Sequence, residues 1–174
     1  MDGMNPIENV EWIDVDTIEA NDYNPNVVMN QELKLLEFSI VKNGWIQPIL
    51  VNQEVGQKGF TIIDGYHRYT LAKTSKKLRE RDKGKVPCVT MRLPEPERML
   101  LTIRINRAKG THVSYKMSDI IKKLINEHNI NPKYIGESIG ATKAEIDLLM
   151  TEDVFKKLDI QNHKYSKAWY PKYE

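Results

Sequence analysis

The segment FTIIDGYHRYTLAK, residues 60–73, carries the strand, turn and helix signals that decide the fold. Apolar Ile62 and Ile63 run directly into Asp64-Gly65, and a helix is predicted over residues 66–76. A helix that begins directly after a strand presents free backbone N–H groups at its N-terminal end. Glycine at this position lets a ligand approach the backbone closely, so the segment predicts a phosphate site.

Side chains in the same turn add chemistry to that site. Arg68 can grip phosphate oxygens through two N–H groups, and His67 can donate or relay a proton. Asp64 is predicted to orient that pair or to hold a metal ion such as magnesium, which makes Asp64 and His67 the candidate catalytic groups. The alternative from local spacing is that Asp64 is a helix cap and Arg68 a surface ion-pair partner.

Periodicity elsewhere predicts a mixed α+β fold. Strands are predicted at residues 10–18, 46–51, 59–63 and 86–93. Helices are predicted at residues 31–43, from 95 onward after Pro94, and at 118–128, 132–139 and 143–150. The last two helices are separated by Gly140-Ala141-Thr142, a spacing that matches the helix-turn-helix pattern.

Three parts of the chain follow from this pattern. Residues 1–112 are predicted to form the α+β body, and residues 113–150 a helical segment like a helix-turn-helix. Residues 151–174 form an aromatic-rich tail that is expected to pack on the body or on a partner. Its aromatic residues are Phe155, Tyr165, Trp169, Tyr170 and Tyr173.

Composition narrows the class of protein. Among 174 residues, 40% are hydrophobic and 29% charged, and no apolar run approaches the roughly 18 residues that span a bilayer. We therefore expect a cytoplasmic protein without a secretory signal. The lone Cys88 lies in the apolar stretch VPCVTM, which predicts a buried thiol.

Charge is distributed unevenly along the chain. Residues 1–72 carry 4 basic and 11 acidic side chains, whereas residues 73–112 carry 12 basic and 4 acidic ones. The basic middle favours an anionic partner, either a nucleotide or a nucleic-acid backbone. The alternative is a solvated loop over residues 73–85.

Two motifs resemble the ParB N-terminal domain, a likeness that extends over residues 10–112. They are SI-x-x-x-G-x-x-QPI at residues 39–49 and G-x-H-R-x-x-x-A at residues 65–72. The His-Arg pair of the second motif is similar to sulfiredoxins and the free serine kinases of this fold, whereas ParB proteins usually carry two arginines there. Tyr66 stands where sulfiredoxins have their reactive cysteine, so sulfinic-acid repair is not expected.

The resemblance implies a nucleotide, ATP or CTP, whose phosphates lie on residues 65–68. A third block, TIRINRAKGTH at residues 102–112, occupies the place of the phosphate-contacting ENxxR motif with a different sequence. Its candidate phosphate ligands are Asn106, Arg107, Gly110, Thr111 and His112. The alternative role of this block is to cap the preceding helix. The pocket wall implied by the first motif comprises Gly44, Gln47 and Pro48.

The turn NDYNPN, the run KMSDII and the segment SKAW are similar to the small IbrB-like branch of the superfamily. This likeness implies a phage or prophage setting and a PAPS-reductase-like protein partner, whereas the expectation of a homodimer comes from the C-terminal helices, which could form a dimer surface. The leading hypothesis is a nucleotide-binding protein, an NTPase switch in a DNA transaction. A phosphotransferase is the second hypothesis, and it needs a carboxylate base from Asp64, Asp22 or Glu37. A nuclease is the third, although no compact carboxylate cluster for two metal ions is evident.

Overall fold

The computed structural model describes residues 5–21, 30–109 and 114–151, and only the backbone of residues 30, 31 and 114–116. Several predictions concern residues outside these ranges. They are most of the NDYNPN turn with Asp22, the phosphate candidates Gly110, Thr111 and His112, and the aromatic tail after Thr151.

Five strands in the described ranges form one mixed sheet. They are β1 (Val10–Asp14), β2 (Ile18–Glu19), β3 (Ile49–Asn52), β4 (Phe60–Asp64) and β5 (Lys85–Met91). The sheet order is β1-β5-β3-β4-β2. The pairs β1–β5 and β3–β4 are antiparallel, and β3–β5 and β2–β4 are parallel. The mixed α+β prediction is thus confirmed.

The first predicted strand is divided into two by a 3-10 helix, Val15–Thr17. The Asp14 side chain accepts a hydrogen bond from the backbone N–H of Asp16 (2.9 Å), which stabilises the turn. This turn takes the chain from β1 at one edge of the sheet to β2 at the other. A continuous strand over residues 10–18 was therefore the wrong prediction.

Three helices belong to the sheet half: α1 (Asn30–Asn43), α2 (Tyr66–Thr74) and α3 (Lys76–Asp82). The basic segment 73–85 is thus largely helical, which corrects the expectation of a loop. Ser75 separates α2 from α3, and its hydroxyl caps α3 by accepting from the N–H of Leu78 (3.3 Å). Leu78 is buried, so the segment is amphipathic despite its lysines and arginines.

The remaining helices are α4 (Glu95–Ala108), α5 (Ser114–Asn126), α6 (Pro132–Ile139) and α7 (Lys143–Met150). Side chains of Asn131 and Thr142 cap the N-termini of α6 and α7. Gly140 ends α6 with φ 68°, a left-handed conformation that favours glycine. No helix in the described ranges is both long and apolar enough to cross a membrane.

Two main groups of buried apolar side chains stabilise the fold. The sheet core includes Val15, Ile49, Val51, Ile62, Val86 and Cys88. The helical core includes Met99, Leu100, Ile103, Ile121, Leu124, Ile135 and Ile146. Helix α4 thus packs with the C-terminal helices, although the predicted division at residue 112 assigns it to the body. The prediction that Cys88 is buried is confirmed, and burial raises the pKa of its thiol to about 12.

Candidate functional site

Strand β4 ends at Asp64, and Gly65 follows with φ 98° as the N-cap of α2. No side chain caps this helix, so the alternative of an Asp64 helix cap does not describe the structure. The N–H of Tyr69 donates to the carbonyl of Gly65 (3.0 Å), and the three N–H groups before it have no intrahelical acceptor. The first turn of α2 therefore offers backbone donors and the positive end of the helix dipole to an anion.

Arg68 lies beneath this turn, with only 14% of its side chain exposed. Its guanidinium donates to the carbonyl oxygen of Pro48 and to Asp64 Oδ2, the second bond at 3.3 Å. Burial lowers the pKa of Arg68, and the neighbouring Asp64 carboxylate opposes that effect. A Cβ atom on Gly65 would lie 3.1 Å from Arg68 Nη2, so only glycine leaves this packing undisturbed. Arg68 joins the two motifs and positions the turn.

Asp64 is neutralised from two sides. Besides Arg68, Lys109 places Nζ at 2.6 Å from Asp64 Oδ1. Sequence reasoning missed Lys109, although its position three residues after Asn106, at the end of α4, was a usable signal. No cluster of three or more His, Cys, Asp or Glu residues that could bind a metal occurs in the described ranges. Asp64 therefore has no set of companion ligands there for a magnesium ion held by protein alone.

His67 follows in the first turn of α2. Its Nε2 atom is buried and has no hydrogen-bond partner among the described residues. A buried polar atom without a partner costs about 1–3 kcal/mol, so a ligand that bonded this nitrogen would recover that cost. The neighbouring Tyr66 packs on the sheet core, with its ring centroid 6.1 Å from that of Tyr69.

The predicted pocket wall has a mixed outcome. Pro48 contributes its carbonyl oxygen to Arg68, and Gly44 ends α1 with φ 79° while donating its N–H to the carbonyl of Ile40 (2.9 Å). The Gln47 side chain is exposed. The Glu37 carboxylate, a candidate base, accepts a hydrogen bond from the Ser75 hydroxyl. Their roles towards a ligand stay predictions.

Only part of the third block, residues 102–112, lies near the Gly65 turn. The amide nitrogen of Asn106 donates to the carbonyl of Thr102 (2.9 Å), one turn back in α4. Arg107 instead contacts the helical half: its Nη1 lies 2.5 Å from Glu145 Oε1, and its Nη2 donates to the carbonyl of Gly140 (3.2 Å). Among the described residues of this block, it is Lys109, and not Arg107, that pairs with Asp64 beside the Gly65 turn.

Comparison with known proteins identifies the family of the chain. Residues 2–104 match the model of the ParB N-terminal domain. The chain is 34% identical to the uncharacterized protein YbdM of Escherichia coli K12, over 94% of this chain and 77% of that protein. It is 24% identical to a probable chromosome-partitioning protein ParB of Rickettsia bellii, over 83% of this chain but only 47% of that protein.

Solved structures include a truncated ParB of Caulobacter crescentus bound to the centromeric parS site. It superposes with a TM-score of 0.52 at 17% identity and covers 87% of this chain and 78% of that one. The fold and the matched segment define a protein of the ParB/sulfiredoxin-like superfamily. Within it, the chain belongs to the ParB N-terminal domain family.

Proposed function

We propose that the protein binds a nucleotide through phosphates seated on the first turn of α2. The observation that carries this proposal is the uncapped turn after Gly65, flanked by the ammonium of Lys109 and the guanidinium of Arg68. Backbone N–H groups at a helix start stabilise an anion without any rearrangement of side chains. The Nε2 atom of His67, which has no partner among the described residues, adds a further polar group in the same turn.

The side chains around the turn have different proposed roles. Arg68 holds the turn by its bonds to Pro48 and Asp64, so it positions the donors. Asp64 holds Lys109 near the turn. The ammonium group of Lys109 can exchange its ion pair with this carboxylate for one with a phosphate oxygen. Asn106, Gly110, Thr111 and His112 stay proposed contacts to phosphate or ribose, and ATP and CTP are both candidate ligands. Magnesium would then be bound chiefly by the phosphates.

Binding is proposed in preference to phosphate transfer. A phosphotransferase needs a carboxylate free to accept a proton. Of the three candidate bases, Asp22 lies outside the described residues, Asp64 is engaged by two cations, and Glu37 is engaged by Ser75. A nuclease with two metal ions is not favoured either, because the described residues hold no cluster of metal-binding side chains.

Titration of the purified chain with CTP and with ATP tests the proposal. Replacing His67 or Lys109 with Ala is expected to weaken binding by about one to two decades, since each change removes one charge-assisted phosphate contact. The matched control is Lys77→Ala, because Lys77 is exposed on α3. Absence of binding to both nucleotides, or full affinity in both variants, would contradict the proposal.

DNA is proposed as a partner of the residues after 113, since the C. crescentus relative was solved with parS. The α6–α7 surface carries Lys133 and Lys143 but also Glu137 and Asp147, so it is poorly suited to phosphates. DNA binding should weaken steeply with salt, whereas a homodimer or protein contact should respond weakly. The phage setting and a PAPS-reductase-like partner rest on sequence resemblance alone.

A further inference from the structure

A cavity of 440 Å³ lies at the end of the sheet opposite the Gly65 turn. Strands β3 and β5 run parallel and end there, whereas β4 begins there. Asn52 stabilises this end of the sheet. Its side-chain oxygen accepts from the N–H of Leu93 (2.8 Å), and its side-chain nitrogen donates to the carbonyl of Leu93 (3.0 Å). The cavity wall is therefore fixed by strand ends, and it shares no residue with the proposed nucleotide site.

Two side chains of opposite charge line this cavity without pairing. Glu11 lies on β1, and Arg92 follows β5 directly. In the part of the chain that the structure describes, neither side chain forms an ion pair with the other or with a third residue. A free carboxylate and a free guanidinium facing one cavity favour a ligand that carries both an ammonium and a carboxylate group.

Further lining residues define the rest of the ligand. Thr90 lines the cavity, and its hydroxyl oxygen is buried without a hydrogen-bond partner among the described residues. Phe60 and Met91 supply apolar surface in the same cavity. The volume lies within the range of roughly 300–1,000 Å³ that is usual for small-molecule sites.

We propose that this cavity binds a free α-amino acid with a large apolar side chain. Glu11 takes the ammonium group, Arg92 takes the carboxylate, and the side chain of the ligand packs on Phe60 and Met91. The hydroxyl of Thr90 provides an additional hydrogen bond. This proposal is independent of nucleotide binding, because the two sites lie at opposite ends of the sheet.

Isothermal titration of the full chain with L-phenylalanine tests the site. We expect saturable binding with a Kd of about 1 mM or below, in a one-to-one ratio. N-acetyl-L-phenylalanine lacks the ammonium group and L-phenylalaninamide lacks the carboxylate, so each should bind at least about tenfold more weakly. The proposal is overturned if L-phenylalanine shows no saturation, or if both analogues bind as tightly as L-phenylalanine.

Variants assign the contacts. Glu11→Gln and Arg92→Gln should each weaken L-phenylalanine binding by about tenfold or more, with an unchanged thermal unfolding midpoint. Matched controls are Glu19→Gln, an exposed carboxylate on the opposite edge strand, and Lys77→Gln. Both controls should bind like the unaltered protein. Full affinity in Glu11→Gln and Arg92→Gln overturns the assignment, and nucleotide affinity measured on the same samples reports the other site separately.

Discussion

Two turns of this molecule use a glycine with positive φ, and they differ in what their backbone groups contact. Gly65 begins α2 with φ 98°, and Gly140 ends α6 with φ 68°. At Gly140 the carbonyl already accepts from Arg107, and the N–H donates to the carbonyl of Gly136. At Gly65 the following N–H groups have no cap. The Gly140 turn is satisfied from within the fold, whereas the proposed role of the Gly65 turn is to bind an anion through its free N–H groups.

The largest expected effect is a loss of stability from a substitution in the helical core, which should leave the Gly65 turn unchanged. Leu124→Ala removes a fully buried side chain from the helical core that supports the Gly140 turn. We expect a loss of about 2–5 kcal/mol in the free energy of unfolding, measured by urea denaturation. Nucleotide affinity of the folded protein should be unchanged, because the Gly65 turn packs on the sheet core. A parallel loss of nucleotide affinity in fully folded samples would show that the two regions depend on each other.

Gly65→Ala is expected to have the next largest effect. The methyl group forces an unfavourable φ and approaches the Arg68 guanidinium at 3.1–3.4 Å. We expect a destabilisation of about 1–2 kcal/mol and a loss of nucleotide binding of at least about tenfold. Gly56→Ala is the control, since Gly56 has φ 85° but no atom within 4 Å of an added Cβ. Equal behaviour of the two variants would mean that backbone strain alone matters.

Much of the fold was predictable from the sequence because its signals are local. Helix α7 was predicted with the bounds Lys143–Met150, since the turn Gly140-Ala141-Thr142 marks its start, and the structure adds that the Thr142 side chain caps it. The division of β1 from β2 was not predictable, because the turn at Asp14 interrupts a segment whose alternation continues through it. Helix α3 was not predicted because most of its residues are charged. Its buried residue is Leu78, so it shows no apolar periodicity.

The sequence predicts the candidate site at the turn after Asp64, but it does not predict the contacts that the structure gives to the cations around that turn. Arg68 was expected to face a ligand, and instead it supports the turn through Pro48 and Asp64. Lys109 was missed and Arg107 was proposed in its place. Neighbouring residues of a helix point in different directions, so the choice between them depends on tertiary packing that periodicity does not reveal.

The smallest expected effect is the coupling energy of the ion pair between Arg107 and Glu145. Arg107 pairs with Glu145 while 22% and 34% of the two side chains are exposed, so their coupling energy should be about 1 kcal/mol or less. A double-mutant cycle with Arg107→Ala and Glu145→Gln, measured by urea denaturation at low and high salt, gives that value.

The same variants measure what Arg107 does for the nucleotide. If Arg107 only fastens the Gly140 turn, both single variants bind nucleotide like the unaltered protein, whereas Lys109→Ala does not. The sequence-based assignment of Arg107 to phosphate predicts a different pattern: Arg107→Ala loses about tenfold in affinity, and Glu145→Gln, which frees the guanidinium, binds at least as well as the unaltered protein. Because the two assignments predict different results for Arg107→Ala, one titration series identifies the side chain that contacts phosphate.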